Sequence, residues 1–384
     1  MKRKVLVVGL GGVGGYALHL LARYPGIEIV GADVREDFAR QKVSNVYYDV
    51  FFQGGVVRHP HIHHKQIDLN DIEGTTRILR EMEPDVILNQ TSLQSYWVVH
   101  HIPEDIRKKI SDTYPGAGLG PWTPAHLALT YKLMQAVRAA KIETQVVNGS
   151  WSDCVNPVLS KVGLAPTVGM GNFALFEPII MRIVSEILEV PASNVSVSMI
   201  GHHAMCMPIF ETGSVRNVPY YLRIRVFDKD VTDQFDIEKD IWAKFPTYFP
   251  PEPLGGHQQE WIASCVTRNV LAILFDTGEV VHAPGPEGLP GGYSVRLSAK
   301  GAEVVVPNGL TREEAIAINE EAQKLEGIEK IADEGTVVCT DHSAKIMREV
   351  LGYECKEVKP DEAEKKWKEL TTAYKKLIEK YEKG

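Results

Sequence analysis

Six residues near the start of the chain, Gly9-Leu10-Gly11-Gly12-Val13-Gly14, constrain its fold more than any other stretch. They match GxGxxG and stand between an apolar run, KVLVVG from Lys4 to Gly9, and a helix-patterned segment, YALHLLARY. Such an apolar run suits a strand buried on both faces of a parallel sheet. Gly9 permits a tight turn, Gly11 lets the backbone approach a pyrophosphate, and Gly14 lets the helix pack on its strand. The helix N-terminus then offers unpaired N–H groups to phosphates. A second strand, IEIVGADV, completes a βαβ unit within about 30 residues and ends on Asp33. A carboxylate about 20 residues past the glycines is placed to accept hydrogen bonds from an adenosine ribose. The expected cofactor site is Gly9, Gly11, Gly12, Val13, Gly14, Asp33 and Arg35. Asp33 would repel a 2′-phosphate, so NAD is favoured over NADP, although the Arg35 guanidinium weakens that preference.

Further along, a polar stretch with a turn leads into a helix, EGTTRILREMEP, and a third strand, DVILNQTS. That strand ends on Asn89-Gln90-Thr91-Ser92, at the carboxyl edge where doubly wound sheets bind ligands. Asn89, Thr91 and Ser92 are the residues expected near the nicotinamide ribose. Residues 94–124 hold Pro103, Pro115, Pro121 and Pro124 and are expected to form a long irregular loop, with His100-His101 inside it. A helix, AHLALTYKLMQAVRAAK, and a strand end, TQVVNGS, follow.

Past residue 150 a long helix (FEPIIMRIVSEILEV) precedes a strand (NVSVSMIG) and an arginine-alternating strand (YYLRIRVFDKD). GEVVHAP, YSVRLSAKG and AEVVVP, punctuated by glycines, predict an antiparallel sheet. TREEAIAINEEAQKLEG is a helix capped by Thr311, and the lysine- and glutamate-rich tail from Asp361 carries Trp367, Leu370, Tyr374, Leu377 and Ile378 on one face. The tail is expected to pack on the body, with a partner-binding helix as the alternative. The chain divides into a Rossmann domain at 1–150, an α+β substrate domain at 151–345 and a helical extension at 346–384.

With 384 residues, two or three domains are expected. A net charge of -8 gives no basic footprint for nucleic acid or an anionic membrane. No apolar run reaches the 18 or so residues of a membrane span, and the N-terminus shows no secretory pattern. Five cysteines without CxxC spacing (Cys154, Cys206, Cys265, Cys339, Cys355) point to reduced thiols in the cytoplasm.

Gly201-His202-His203 follows the strand NVSVSMIG. A histidine titrates near neutrality and can take a proton from an alcohol as hydride leaves the same carbon. It needs a carboxylate to orient it, and Glu177 on the preceding helix is the expected one. His59-Pro60-His61-Ile62-His63-His64 is an exposed loop or edge strand, or, through His61 and His63 on one face, a metal site.

VVNGSWSDCVNPVL, KVGLAPTVGMGN, MRIVSEILEVPASNVSVSMIGHH, WIASCVTRNVLAILFDTGEVVHAP and GGYSVRLSAKGAEVVVPNGLTREEA occur in an order that resembles the lactate/malate dehydrogenase superfamily. The NAD-dependent family 4 glycosidases share that fold. With the glycine turn, the similarity spans about residues 3–325. It implies a doubly wound parallel sheet followed by an α+β C-terminal domain, a homodimer or higher homo-oligomer, His203 as the proton-transfer histidine, and Asn148 near nicotinamide and substrate. The family's aspartate, and the arginine three residues on that grips the substrate carboxylate, have no direct counterpart. Glu177 can replace the first, Ile180 cannot replace the second, and Arg182 lies two residues further. Arg107 is the candidate for the family's mobile-loop arginine.

Three readings stay open. One is an NAD-dependent dehydrogenase acting on a small alcohol or hydroxy acid other than simple lactate or malate, with Arg182 and His202 contacting substrate and no metal. An insertion at Phe210–Gly256 would enlarge its pocket, and Arg216, Arg223 and Arg225 would bind an anion or form a solvated strand face. The second is a family 4-like glycosidase using NAD and a metal on His202, His203 and Cys206. The third is a non-catalytic NAD-binding sensor.

Overall fold

The computed structural model describes residues 3–94, 102–111, 113–249 and 259–382. Six parallel strands build the central sheet: β1 (Arg3–Val8), β2 (Ile27–Asp33), β3 (His61–Gln66), β4 (Val86–Asn89), β5 (Gln145–Asn148) and β6 (Val168–Gly169). Their order, β3-β2-β1-β4-β5-β6, is the doubly wound one anticipated from the glycine turn. The inner strands are short and apolar, with Val5–Val8 of β1 and all of β4 buried, whereas the edge strand β3 is polar and mostly exposed. Val8 lies opposite Asn89, Asn89 opposite Asn148, and Asn148 opposite Gly169, so the carboxyl ends of β1, β4, β5 and β6 form one edge.

The helices of this half are α1 (Gly12–Leu21), α2 (Glu36–Gln53), α3 (Ile72–Met82), α4 (Glu104–Ser111), α5 (Thr123–Ala140) and α6 (Ser152–Lys161). Two of them correct the sequence reading. The polar stretch after Asp33 is an 18-residue helix, α2, which buries only Ala39, Val43, Val46 and Val50. That stripe has helical spacing, but exposed residues such as Tyr48, Phe51 and Phe52 blur it. The expected irregular loop contains α4, whose Ile110 and Ser111 are buried. His100 and His101 lie outside the described residues.

The second half runs α7 (Glu177–Leu188), β7 (Val195–Ile200), α8 (Cys206–Thr212), β8 (Tyr221–Val226), β9 (Lys229–Asp230), α9 (Phe245–Tyr248) and α10 (Gln259–Leu274). Then come β10 (Val280–Pro284), β11 (Gly292–Ser298), β12 (Gly301–Val304), α11 (Arg312–Leu325), β13 (Ile328–Ile331), β14 (Val337–Cys339), α12 (Asp341–Leu351), β15 (Glu357–Val358) and α13 (Ala363–Glu382). Three small antiparallel sheets result, β7-β8-β9, β10-β11-β12 and β13-β14-β15. Thr311 caps α11 in a capping box with Glu314.

The central sheet continues past residue 150 into β6, and position 346 falls inside α12. The segment after 346 is more than a helical extension, because β15 pairs with β14. α13 closes back on the first half: Trp367, Leu370, Tyr374 and Leu377 are buried with α5 residues in one apolar cluster. Tyr374 meets Trp122 edge-on at 5.7 Å, and Lys132 pairs with Glu364 at 2.5 Å. Removing a fully buried leucine costs about 2–5 kcal/mol. Leu370→Ala should lower the urea midpoint by that measure, whereas Lys368→Ala, on the exposed face, should leave it nearly unchanged.

Candidate active site

The glycine turn forms because Gly9 takes a left-handed φ of +88° and a Cβ there would stand 2.8 Å from the Gln90 carbonyl. A Cβ on Gly14 would strike the Gly9 carbonyl oxygen. Gly11 is the N-cap of α1 without any side-chain cap, so the first-turn N–H groups have no intrahelical acceptor. Nothing lies within 4 Å of where a Gly11 Cβ would be, whereas the Gln259 amide covers Gly12. Asp33 already serves the turn: Oδ2 accepts from Leu10 N–H at 3.1 Å and Oδ1 from Arg35 N–H at 3.2 Å. The Arg35 guanidinium lies 3.5 Å from Asp33 and stacks on Phe38 at 4.0 Å. The open face at Gly11, the unpaired N–H groups and the strand-end carboxylate fit a dinucleotide pyrophosphate and its ribose.

The strand-end polar residues prove to be largely internal. Asn89 donates to Thr130 Oγ1 (3.1 Å) and Asn148 Oδ1 (3.0 Å), and its Oδ1 accepts from Thr91 N–H and Oγ1–H. Asn148 donates to Asn156 Oδ1 and the Ser150 carbonyl and accepts from Asn89 and the Ser150 N–H. Both amides have used every donor and acceptor they own, so neither is placed to bind a ligand as expected. Thr91 is spent on Asn89, and Ser92 donates to the Gln94 carbonyl at 3.0 Å. The group left over is Gln90, whose buried Nε2 has no partner and lies against Gly149.

Past β7, His203 sits on the wall of a cavity of about 270 Å³. Its N–H donates to Asp153 Oδ1 at 3.1 Å, and its Nδ1 lies 2.6 Å from Glu326 Oε1. The second carboxylate oxygen of Glu326 is 3.1 Å from His202 Nδ1. His202 is fully buried, so it backs the carboxylate and does not face the cavity as a substrate contact. Nδ1–H donation to Glu326 fixes the tautomer and leaves His203 Nε2 for a ligand. Glu326 follows α11, and Gly118 and Gly120 admit its backbone: a Cβ on Gly118 would lie 2.3 Å from the Glu326 carbonyl.

Glu177, the expected orienting carboxylate, is elsewhere. Its Oε2 lies 3.8 Å from Arg268, in a separate depression that also holds Arg182. α7 turns both outward, and Arg182 pairs with Glu186 at 3.0 Å and lies over Tyr248. Arg223 is likewise committed, to Asp230 at 2.6 Å. The titratable cavity-lining groups missed from sequence are Glu326, Asp153 and His126. Asp153 stood within the family-like stretch VVNGSWSDCVNPVL, but nothing local marks Glu326.

Burial alone would lower the His203 pKa, but the charge and hydrogen bond of Glu326 and the charge of Asp153 raise it to about 9. Burial works against Glu326 as a carboxylate too, yet His203 and His202 hold it at about 2. Burial raises Asp153, with the histidines opposing. Across the cavity, burial and the His203 charge push His126 down to about 4, so it is neutral; its Nδ1 lies 3.2 Å from Ser150 Oγ. Trp151, Leu175, Met207, Phe210 and Ile262 supply apolar wall. Among the described residues no group of three or more His, Cys, Asp or Glu side chains is arranged to hold a metal ion, and the exposed His61 and His63 lie on the edge strand β3. Among them, too, no helix is long and apolar enough to cross a membrane.

The chain has the fold of lactate and malate dehydrogenases. It superposes on a Cryptosporidium parvum lactate dehydrogenase solved with lactic acid and nicotinamide adenine dinucleotide, with a TM-score of 0.57, 17% identity and coverage of 85% of this chain and 96% of that one. It matches a Picrophilus torridus malate dehydrogenase equally well, at a TM-score of 0.57, 15% identity and coverage of 85% and 97%. In sequence, a malate dehydrogenase of Halobacterium salinarum is 29% identical over 153 residues, 37% of this chain and 46% of that relative, so the match spans less than half the relative's length. No protein-family model matches the chain.

The Glu326–His203 pair gives a direct test. Stability from the raised His203 is complete below about pH 6.5 and is lost as pH rises through about 9; that from the lowered Glu326 is present above about 4.5 and lost as pH falls toward 2. In Glu326→Gln, the His203 imidazole followed by NMR should titrate far below its native value of about 9.

Proposed function

We propose that this chain is an NAD-dependent oxidoreductase that passes hydride between nicotinamide and a small alcohol or hydroxy acid other than simple lactate or malate, with His203 as acid and base. The observation that carries this reading is a histidine backed by a buried carboxylate, on a cavity beside the carboxyl edge of a sheet that begins with an open glycine turn. The fold shared with dehydrogenases supports it.

The α1 N-terminus would hold the pyrophosphate, and Asp33 the adenosine ribose. Arg35 is already neutralised by Asp33, which favours NAD over NADP. Gln90 Nε2, an orphan donor at the crossing point between β1 and β4, is the group available to the nicotinamide end. When bound, nicotinamide supplies the hydride acceptor or donor. His203 Nε2 takes the hydroxyl proton during oxidation and returns it during reduction, while Glu326 holds the ring and balances the imidazolium. Glu177 and Arg182, facing another depression, have no part in this scheme.

NADH should bind more tightly than NADPH in a fluorescence titration, and absence of binding to both would end the proposal. Alcohol oxidation needs neutral His203, so kcat/KM should rise with pH up to about 9, whereas carbonyl reduction should fall above about 9. His203→Ala should lower turnover by about 10²–10⁴-fold without loss of NADH binding.

A further inference from the structure

The cavity beside His203 has an unusual charge inventory for a site that would grip a substrate carboxylate. Asp153 and Glu326 are on its wall; the His203 imidazole meets Glu326, and the His203 backbone N–H donates to Asp153. His126 is neutral there. Among the described residues no arginine or lysine lines it. Arg107 and Arg182 are not on the wall.

The two carboxylates are not equivalent. Glu326 has His203 at 2.6 Å from one oxygen, and its second oxygen, 3.1 Å from His202 Nδ1, is buried without a hydrogen bond. Asp153 accepts at Oδ1 from the His203 N–H and the Asn172 amide, while its Oδ2 has no hydrogen-bond partner among the described residues. Asp153 is 2% exposed and lines the cavity. A buried carboxyl oxygen on a cavity wall that makes no hydrogen bond is an unmet polar demand. A substrate carboxylate would stand beside two carboxyl groups, with no guanidinium fork on the wall to receive it.

We propose that the substrate carries an ammonium group that pairs with Asp153 Oδ2 while its hydroxyl or carbonyl carbon stands at His203, the rest of the molecule lying on the apolar wall of Trp151, Leu175 and Phe210. Only the identity of the cavity as substrate pocket is taken from the oxidoreductase reading. Asp153 is then the residue that sets substrate class, and it acts by charge on the substrate itself.

Three probes share one secondary alcohol and differ in a single substituent: isopropanolamine is cationic, sec-butanol neutral and lactate anionic. Their dissociation constants can be read from the His203 imidazole resonance, with and without NADH. Isopropanolamine should bind at least about tenfold more tightly than the other two, and in Asp153→Asn it should fall to the level of sec-butanol. The ranking on the unaltered protein decides the matter even if that variant does not fold. Acetylating the amine, which removes the charge, should erase the preference without any variant. Lactate binding as tightly as isopropanolamine, or no probe moving the resonance, overturns the proposal. Hydride transfer is scored separately: His203-dependent turnover of any alcohol sustains the oxidoreductase reading even where the ammonium preference fails.

Discussion

The site depends on one carboxylate held between two histidines. Glu326 is 1% exposed, lies at the C-terminal end of α11, and meets His203 at 2.6 Å and His202 at 3.1 Å. A negative charge there is opposed by burial and by the helix dipole. Buried ion pairs contribute little net stability compared with apolar packing, so stability does not account for this one. Its effect is on His203, whose rise from 6.5 to about 9 corresponds to about 3 kcal/mol in favour of the imidazolium. That is the scale on which a group changes from a weak acid catalyst to one that is protonated throughout the neutral range.

The carboxyl edge of the sheet is organised around a different principle. Asn89, Asn148 and Asn156 form a closed amide chain in which Asn156 also donates to the Gly285 carbonyl. A fully satisfied buried network is rigid, because any movement leaves a donor unmet. It ties β4, β5, α6 and the loop after β10 together beneath the cavity, and it leaves Gln90 as the unsatisfied group at the crossing point. The residues that look most like ligand contacts in the sequence bond to one another, and their neighbour Gln90 is the one left without a partner.

This separation explains what was legible in the sequence. The first βαβ unit was clear because its information is local: an apolar strand, a glycine turn and Asp33 within one short stretch. The Thr311 cap followed from an equally local pattern, whereas β3 and β6 carried no comparable signal. α2 was hidden by exposed aromatic residues on a helix that buries one narrow stripe. Glu177 attracted the role of orienting carboxylate through proximity in sequence, whereas Glu326 is 123 residues from its histidine. Asn148 and Asp153 lie five positions apart in one stretch. Which of them is saturated by neighbours and which faces a cavity is settled by tertiary packing, and no spacing rule carries it.

The two halves of the candidate site meet through α10. Gln259 at its start lies against Gly12, with its amide 1.8 Å from where a Cβ would stand, and Ile262 lines the cavity beside His203. Residues three apart share a face of a helix, so one rigid turn of α10 touches both the phosphate-binding end of α1 and the cavity wall. Arg268, farther along, holds Glu177 of α7. Only the terminus of a flexible side chain stands over Gly12, so the proposed pyrophosphate would have to displace the Gln259 amide and not the backbone of α10. A helix in contact with both sites fixes their separation, and the proposed hydride transfer would require that separation to be set before substrate arrives.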